Sequence, residues 1–147
     1  MTDCFPEAAV RHYMDGSLLH QNDRRDNAMC HYAFSAECAI KAFMEQFRPF
    51  YTIHNPRTHT AEPMLEAMTL YNELLGILMP QLSLLIGISA PPAILFQEHP
   101  RRRYGNDVGY TADELSSCEA FAAGLVARVV DAALDGKLQY ETERGAL

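Results

Sequence analysis

The chain has 147 residues, a formal net charge of −7 and no tryptophan. That length fits one domain able to bury its own core, and the acidic balance argues against a protein whose whole surface grips nucleic acid, because phosphate contacts need Lys and Arg. No apolar run reaches the ~18 residues of a membrane span, and the N-terminus lacks the basic-then-apolar order of a signal peptide, so a cytoplasmic protein with no membrane partner is expected.

The first helix is expected from near Pro6 to about His20. Proline suits a first helical turn, and Ala9, Tyr13 and Leu18 or Leu19 give one apolar side. Gly16 weakens this helix by about 1 kcal/mol relative to Ala. The polar run Gln21–Arg24 reads as a short turn, and short turns join antiparallel neighbours.

A second helix follows over about Arg24 to Gln46, free of Pro and Gly, with Asp26 or Asn27 as its expected N-cap. Ala28, Tyr32, Ser35, Ala39 and Ala42 recur at helical spacing as a strip of mostly small side chains, and Cys30, Phe34, Cys38 and Met44 widen the apolar surface. Such a helix belongs at the centre of a bundle, where small residues allow close approach of a neighbour. Glu37 and Lys41 stand four apart with the acid first, the favourable order for an intrahelical pair. They read either as a half-buried salt bridge at the bundle edge or as a charge pair facing a cleft.

Pro49 and Pro56 disfavour helix in the next segment, where Phe47, Phe50 and Tyr51 are expected to pin the chain to the bundle. Thr60 reads as the cap of a third helix reaching about Ile88, with Pro80 ending or kinking it. Residues 87–109 read as a long connection with one helical turn, and such loops are commonly functional or mobile. Thr111 and Glu114 form a capping-box signature for a last helix over about Ala112 to Leu138, with Leu115, Phe121, Ala122, Leu125, Val126, Val129, Val130 and Ala133 as its apolar positions. No segment alternates with a period of two. The fold class expected is all-α: an antiparallel up-and-down bundle of four long helices, with room for a short fifth, forming a single domain with its core over about 6–138 and a polar tail over 139–147.

The four cysteines read as reduced thiols of the core, since Cys30 and Cys38, eight residues apart on one helix, make neither a metal knuckle nor a redox pair. The six histidines show no metal-ligand spacing, including His54 and His59 around the loop HNPRTH, so neither a metal nor a cofactor is expected. Arg101, Arg102 and Arg103 form the one dense basic cluster, a local positive patch suited to a phosphate-bearing ligand. Tyr104 and Tyr110 read as packing residues with a wet hydroxyl.

The order of three stretches resembles the HEPN domains (higher eukaryotes and prokaryotes nucleotide-binding). The first is Arg11, His12, Tyr13, Asp15 and Leu19, followed by the polar turn before Asp26-Asn27-Ala28. The second is Ala36-Glu37-Cys38-Ala39-Ile40-Lys41-Ala42, similar to an A-E-x-x-L/I-K-A run of the family. The third is His59, where related chains often open the third helix with a Gly-His-Asp-Leu turn; Arg103-Tyr104 is similar to an Arg-Tyr pair of many members. The resemblance implies a small helical bundle that dimerises, and a nucleotide, RNA or protein partner, with a cognate antitoxin or a nucleotidyltransferase-type protein among them. Catalytic members are metal-independent RNases carrying an Arg, four to six intervening residues and a His near the start of the last long helix. Here Arg103 occupies that place with no His after it, His99 precedes it, and a formal match at Arg48 and His54 falls in the loop after the second helix.

Two functional classes follow. In the first, a homodimeric binding module contacts a nucleotide, RNA or an acidic partner through Arg101, Arg102, Arg103 and Tyr104, with Glu37, Lys41 and His59 as further ligand-binding residues. In the second, a metal-independent endoribonuclease of toxin or antiviral defence type uses Arg103 and His99, or Arg48 and His54. A purely structural interaction domain would show neither activity.

Overall fold

Pro6 lies in the first turn of helix α1, Phe5–Gln21. A tight turn reverses the chain into α2, Arg25–Met44. Asp23 sits in that turn at φ 55°, a left-handed conformation that Asp tolerates better than most residues, and its carboxylate accepts from Arg25 Nε at 2.8 Å. The computed structural model describes residues 3–45, 59, 73, 90–136 and 138. Within these residues a third long helix, α3, spans Ala112–Leu134, and no strand occurs. The all-α class therefore stands for the described residues. The expected third helix over about 60–88, with its Thr60 cap and Pro80 break, lies outside them, apart from Glu73, which is helical and exposed. The aromatics Phe47, Phe50 and Tyr51 and the pair Arg48 and His54 also lie outside.

α2 is the axis of the packing. Ala28, Tyr32, Ala33, Ala36 and Ala39 have no exposed surface, so the small-residue strip is buried as its spacing predicts. α1 and α3 both pack on α2 and touch one another. Ser35, with no side chain large enough to keep the helices apart, donates its hydroxyl to the Ala9 carbonyl of α1 at 2.7 Å. At the other end His20 of α1 lies 3.3 Å from the Tyr32 hydroxyl and 2.9 Å from a Glu119 carboxylate oxygen of α3, so three helices meet there.

Gly16 owes its place to packing. A Cβ built there would meet the Tyr32 ring at 2.8 and 2.9 Å, and Tyr32 is fully buried and cannot step aside. Helix propensity alone says Gly16→Ala stabilises by about 1 kcal/mol. Overpacking of a tight core costs roughly 1–3 kcal/mol. Gly16→Ala is expected to lower the urea midpoint; an unchanged or raised midpoint would show that the Tyr32 ring yields at the α1–α2 crossing.

The capping box of α3 is present in both directions: the Thr111 hydroxyl accepts from Glu114 N at 3.1 Å, and the Glu114 carboxylate accepts from Thr111 N at 2.8 Å. Val130, expected in the core, is 38% exposed; Ala132, not among the expected positions, is buried in the α3 face beside Cys118, which is buried as expected. The cap of α2 also departs from expectation. Arg24 holds the N-cap position with no side-chain bond, while the Asp26 carboxylate accepts from Val108 N at 2.6 Å and Gly109 N at 3.3 Å. Two aligned amides of a distant loop outcompete the helix's own free N–H groups for this acid. The loop before α3 is thereby tied to the start of α2.

Candidate functional site

α2 carries Glu37 on the face that turns toward residues 95–103. Its side chain is only 2% exposed, and Lys41, one turn on, 3%. The expected half-buried pair at the bundle edge is thus a fully buried one, and it does not face open solvent. A charge so placed is costly unless it is paired and hydrogen-bonded. Glu37 meets that condition on both carboxylate oxygens. Oε1 accepts from Lys41 Nζ and from His59 Nδ1 at 2.8 Å, and Oε2 accepts from His99 Nε2 at 2.6 Å. Burial pushes the Glu37 carboxyl up, but the His99 hydrogen bond and the Lys41 ammonium outweigh it and hold the group below its ordinary range. Glu37 is therefore ionised at neutral pH. Lys41 also lies 5.5 Å from the Phe5 ring centroid, a cation–π contact that links the site to α1.

A carboxylate only accepts hydrogen bonds. The ring nitrogens that meet Glu37 are therefore the protonated ones: Nδ1 of His59 and Nε2 of His99. His59 then presents Nε2, its basic nitrogen in the neutral form, and its side chain is 45% exposed. His99 has no exposed side-chain surface, and its Nδ1 has no hydrogen-bond partner among the described residues. His99, expected as a catalytic group beside Arg103, is placed with its side chain fully buried and its Nε2 on Glu37. His59, expected as a ligand-binding residue with a local capping alternative, is the imidazole of this cluster that faces outward.

Phe34, one turn before Cys38 on α2, gathers these groups. His99 packs edge-on against its ring at 4.6 Å between centroids and His59 at 6.2 Å, while His12 of α1 stacks on it at 5.4 Å. The Arg103 guanidinium lies over the same ring at 5.5 Å and over Tyr104 at 4.7 Å. His12 in turn meets His31 of α2, Nδ1 to Nδ1, at 3.2 Å. Burial, then the neighbouring His31, hold the His12 imidazole below its ordinary value.

The basic cluster is divided rather than gathered into one patch. Arg101–Tyr104 is a 3-10 turn, and such a turn places residues three apart on one face and sends the intervening side chains elsewhere. Arg101, Arg102 and Tyr104 line a cleft of about 390 Å³ with Glu98, Asn106 and Val108. Arg102 turns inward. It donates to the Tyr110 hydroxyl at 3.1 Å, to the Ile94 carbonyl at 3.2 Å and to the Leu95 carbonyl. Arg102, expected as a ligand-binding residue, fastens its own loop through these bonds while it also lines the cleft. Tyr104, expected to pack, is 79% exposed, and Tyr110 is buried at 5% with its hydroxyl on Arg102 rather than in water.

The thiols take no part in this chemistry. Cys118 is buried and the other three are half-buried, all free. Burial pushes the Cys38 thiol up to about 12 and the Cys118 thiol up to about 11, which keeps them protonated and poorly nucleophilic. No described helix is long and apolar enough to cross a membrane.

The geometry resembles the base–orienter arrangement of acid–base enzymes: an ionised, buried carboxylate fixes the tautomer and direction of an exposed imidazole. Here it lies beside a stacked guanidinium. Sequence reasoning named Glu37, Lys41, His59, His99, Arg103 and Tyr104 as site members, but not Phe34, His12 or His31. Phe34 read as a core position, and nothing in the sequence separates a ring that fills the core from one that organises a site. Comparison with protein-family models, with curated proteins and with solved structures gives no match.

Proposed function

We propose that this chain is a HEPN-like, homodimeric helical bundle of four long helices that binds the phosphate of a nucleotide or of single-stranded RNA beside His59 and Arg103. The observation that carries the reading is the sharing of Phe34 by an exposed imidazole and an exposed guanidinium, with the imidazole held from behind by Glu37. A planar guanidinium recognises phosphate oxygens bidentately. The outward Nε2 of His59 supplies a second polar contact, and the exposed Tyr104 ring offers a face for a base to stack on. Arg101 extends the positive potential at the neighbouring cleft. The acidic remainder of the molecule keeps binding local rather than general. A partner copy suits the apolar groove between α1 and α3, where Met14, Val130 and Leu134 are exposed.

The Glu37–His59 dyad favours a second reading, metal-independent RNA cleavage. His59 Nε2 takes the proton of a ribose 2′-hydroxyl. The 2′-oxygen bonds to phosphorus as the bond to the 5′-oxygen breaks, and the leaving oxygen takes a proton from water. The products are a 2′,3′-cyclic phosphate and a 5′-hydroxyl. Arg103 stabilises the charge that develops on the phosphoryl oxygens.

One experiment separates the two. Labelled single-stranded RNA is incubated with the protein in EDTA and followed both by fluorescence anisotropy and on a denaturing gel. Binding without cleavage is the expected result, weakened by His59→Gln. Cleavage that His59→Gln slows by about 10²–10⁴-fold establishes the second reading. Neither binding of RNA nor of a nucleoside triphosphate leaves a structural interaction domain.

A further inference from the structure

A second cluster stands apart from Glu37, on the α1–α2 seam. His12 and Asp15 are three residues apart on α1, so they share a face, and His31 projects from α2 opposite them. The two imidazoles meet through Nδ1 at 3.2 Å, and an Asp15 carboxylate oxygen and the two ring nitrogens all lie within 4.8 Å of one another. We propose that His12, Asp15 and His31 form a binding site for one zinc-class divalent cation that clasps the α1–α2 hairpin.

The argument is one of bite. Zinc binds imidazole nitrogen at about 2.0–2.1 Å with tetrahedral angles, which sets its two nitrogen ligands roughly 3.3 Å apart. The observed 3.2 Å separation matches that spacing without movement of either helix. Stacking on Phe34 holds the His12 ring in place. Asp15 is exposed and free to close the remaining distance by rotation. Three protein ligands leave a fourth position for water, the pattern of an open zinc site rather than a closed structural one.

The other grouping of ligating residues, Glu37 with His59 and His99, is the poorer site. There Lys41 already places an ammonium on the carboxylate oxygen that His59 shares, and the second oxygen is taken by His99. A dication would have to displace a buried positive charge. At His12, Asp15 and His31 the cation that acts on His12 among the described residues is the exposed Arg11, which has open solvent to turn into.

The test uses the full chain, stripped with EDTA and dialysed, and titrated with zinc chloride by calorimetry. One zinc per chain is expected, with a rise in melting temperature. Cobalt in its place should give the visible absorption of a tetrahedral site. His31→Asn and Asp15→Asn should each weaken zinc by more than the roughly 10–100-fold that loss of an outer-shell partner costs. Asp15 is exposed, so its substitution leaves the fold intact and separates loss of a ligand from loss of structure. Absence of zinc binding, or zinc binding that Asp15→Asn and His31→Asn leave unchanged, overturns the site; binding abolished by Glu37→Gln instead moves the metal to the other cluster and overturns it equally.

Discussion

Glu37→Leu is expected to destabilise the folded chain by about 3–5 kcal/mol, the cost of leaving one partner of a buried ion pair alone. The substitution keeps apolar volume and removes the carboxylate that Lys41, His59 and His99 all contact. Lys41 would then hold an ammonium with only 3% of its side chain exposed. Its contact with Phe5 offsets roughly 0.5–2 kcal/mol at most. Small domains are stable by about 5–15 kcal/mol, so the loss is a large share. Adding Lys41→Met should restore most of it, because a well-packed apolar pair commonly equals a buried salt bridge. Urea unfolding of the two single variants and the double variant gives the coupling directly. A loss under about 1 kcal/mol for Glu37→Leu would mean the ammonium reaches solvent, contrary to its placement here.

The same site predicts an acid limb. The Glu37 carboxyl is depressed in the folded chain. A depressed carboxyl contributes stability above its unfolded value, about 4.3 for Glu, and that contribution is lost as pH falls through the folded value. The wild-type stability should therefore decline on acidification below about pH 4.3, and Glu37→Gln should flatten that decline.

Arg103→Ala is expected to weaken RNA binding by about 10- to 100-fold, the range for losing hydrogen bonds to a charged group, and to reduce the salt slope by about one. Arg103 is exposed and lies over the faces of Phe34 and Tyr104, so the melting temperature should hold. Arg102→Ala should behave in the opposite way: its three bonds fasten the loop, and their loss lowers stability first. The sequence presents three equivalent arginines; the 3-10 turn gives them three different surroundings. Equal losses of affinity from Arg101→Ala and Arg103→Ala, measured by anisotropy across a salt series, would favour a diffuse patch over a site at Phe34.

Local signals carried much of the fold. The start of α1 at Pro6, the small-residue strip of α2 and the Thr111–Glu114 cap are all short-range features, and each is found where its spacing places it. Asp26 shows where that reasoning stops. As an acid near a helix start it reads as a cap, yet amides of Val108 and Gly109, more than eighty residues away, take its carboxylate. Gly16 reads as a weak point in a helix, and only the nearby Tyr32 ring explains why nothing larger fits.

By itself the sequence determined the helical class, the buried face of α2 and the pairing of Glu37 with Lys41, because periodicity and intrahelical spacing act within a few residues along the chain. The tertiary structure alone decided that His59 and His99 converge on Glu37, that His12 meets His31, and that Arg102 turns inward while Arg103 stays out. Those arrangements depend on how the helices cross and on where a long connection returns, and neither is encoded at any fixed spacing in the chain.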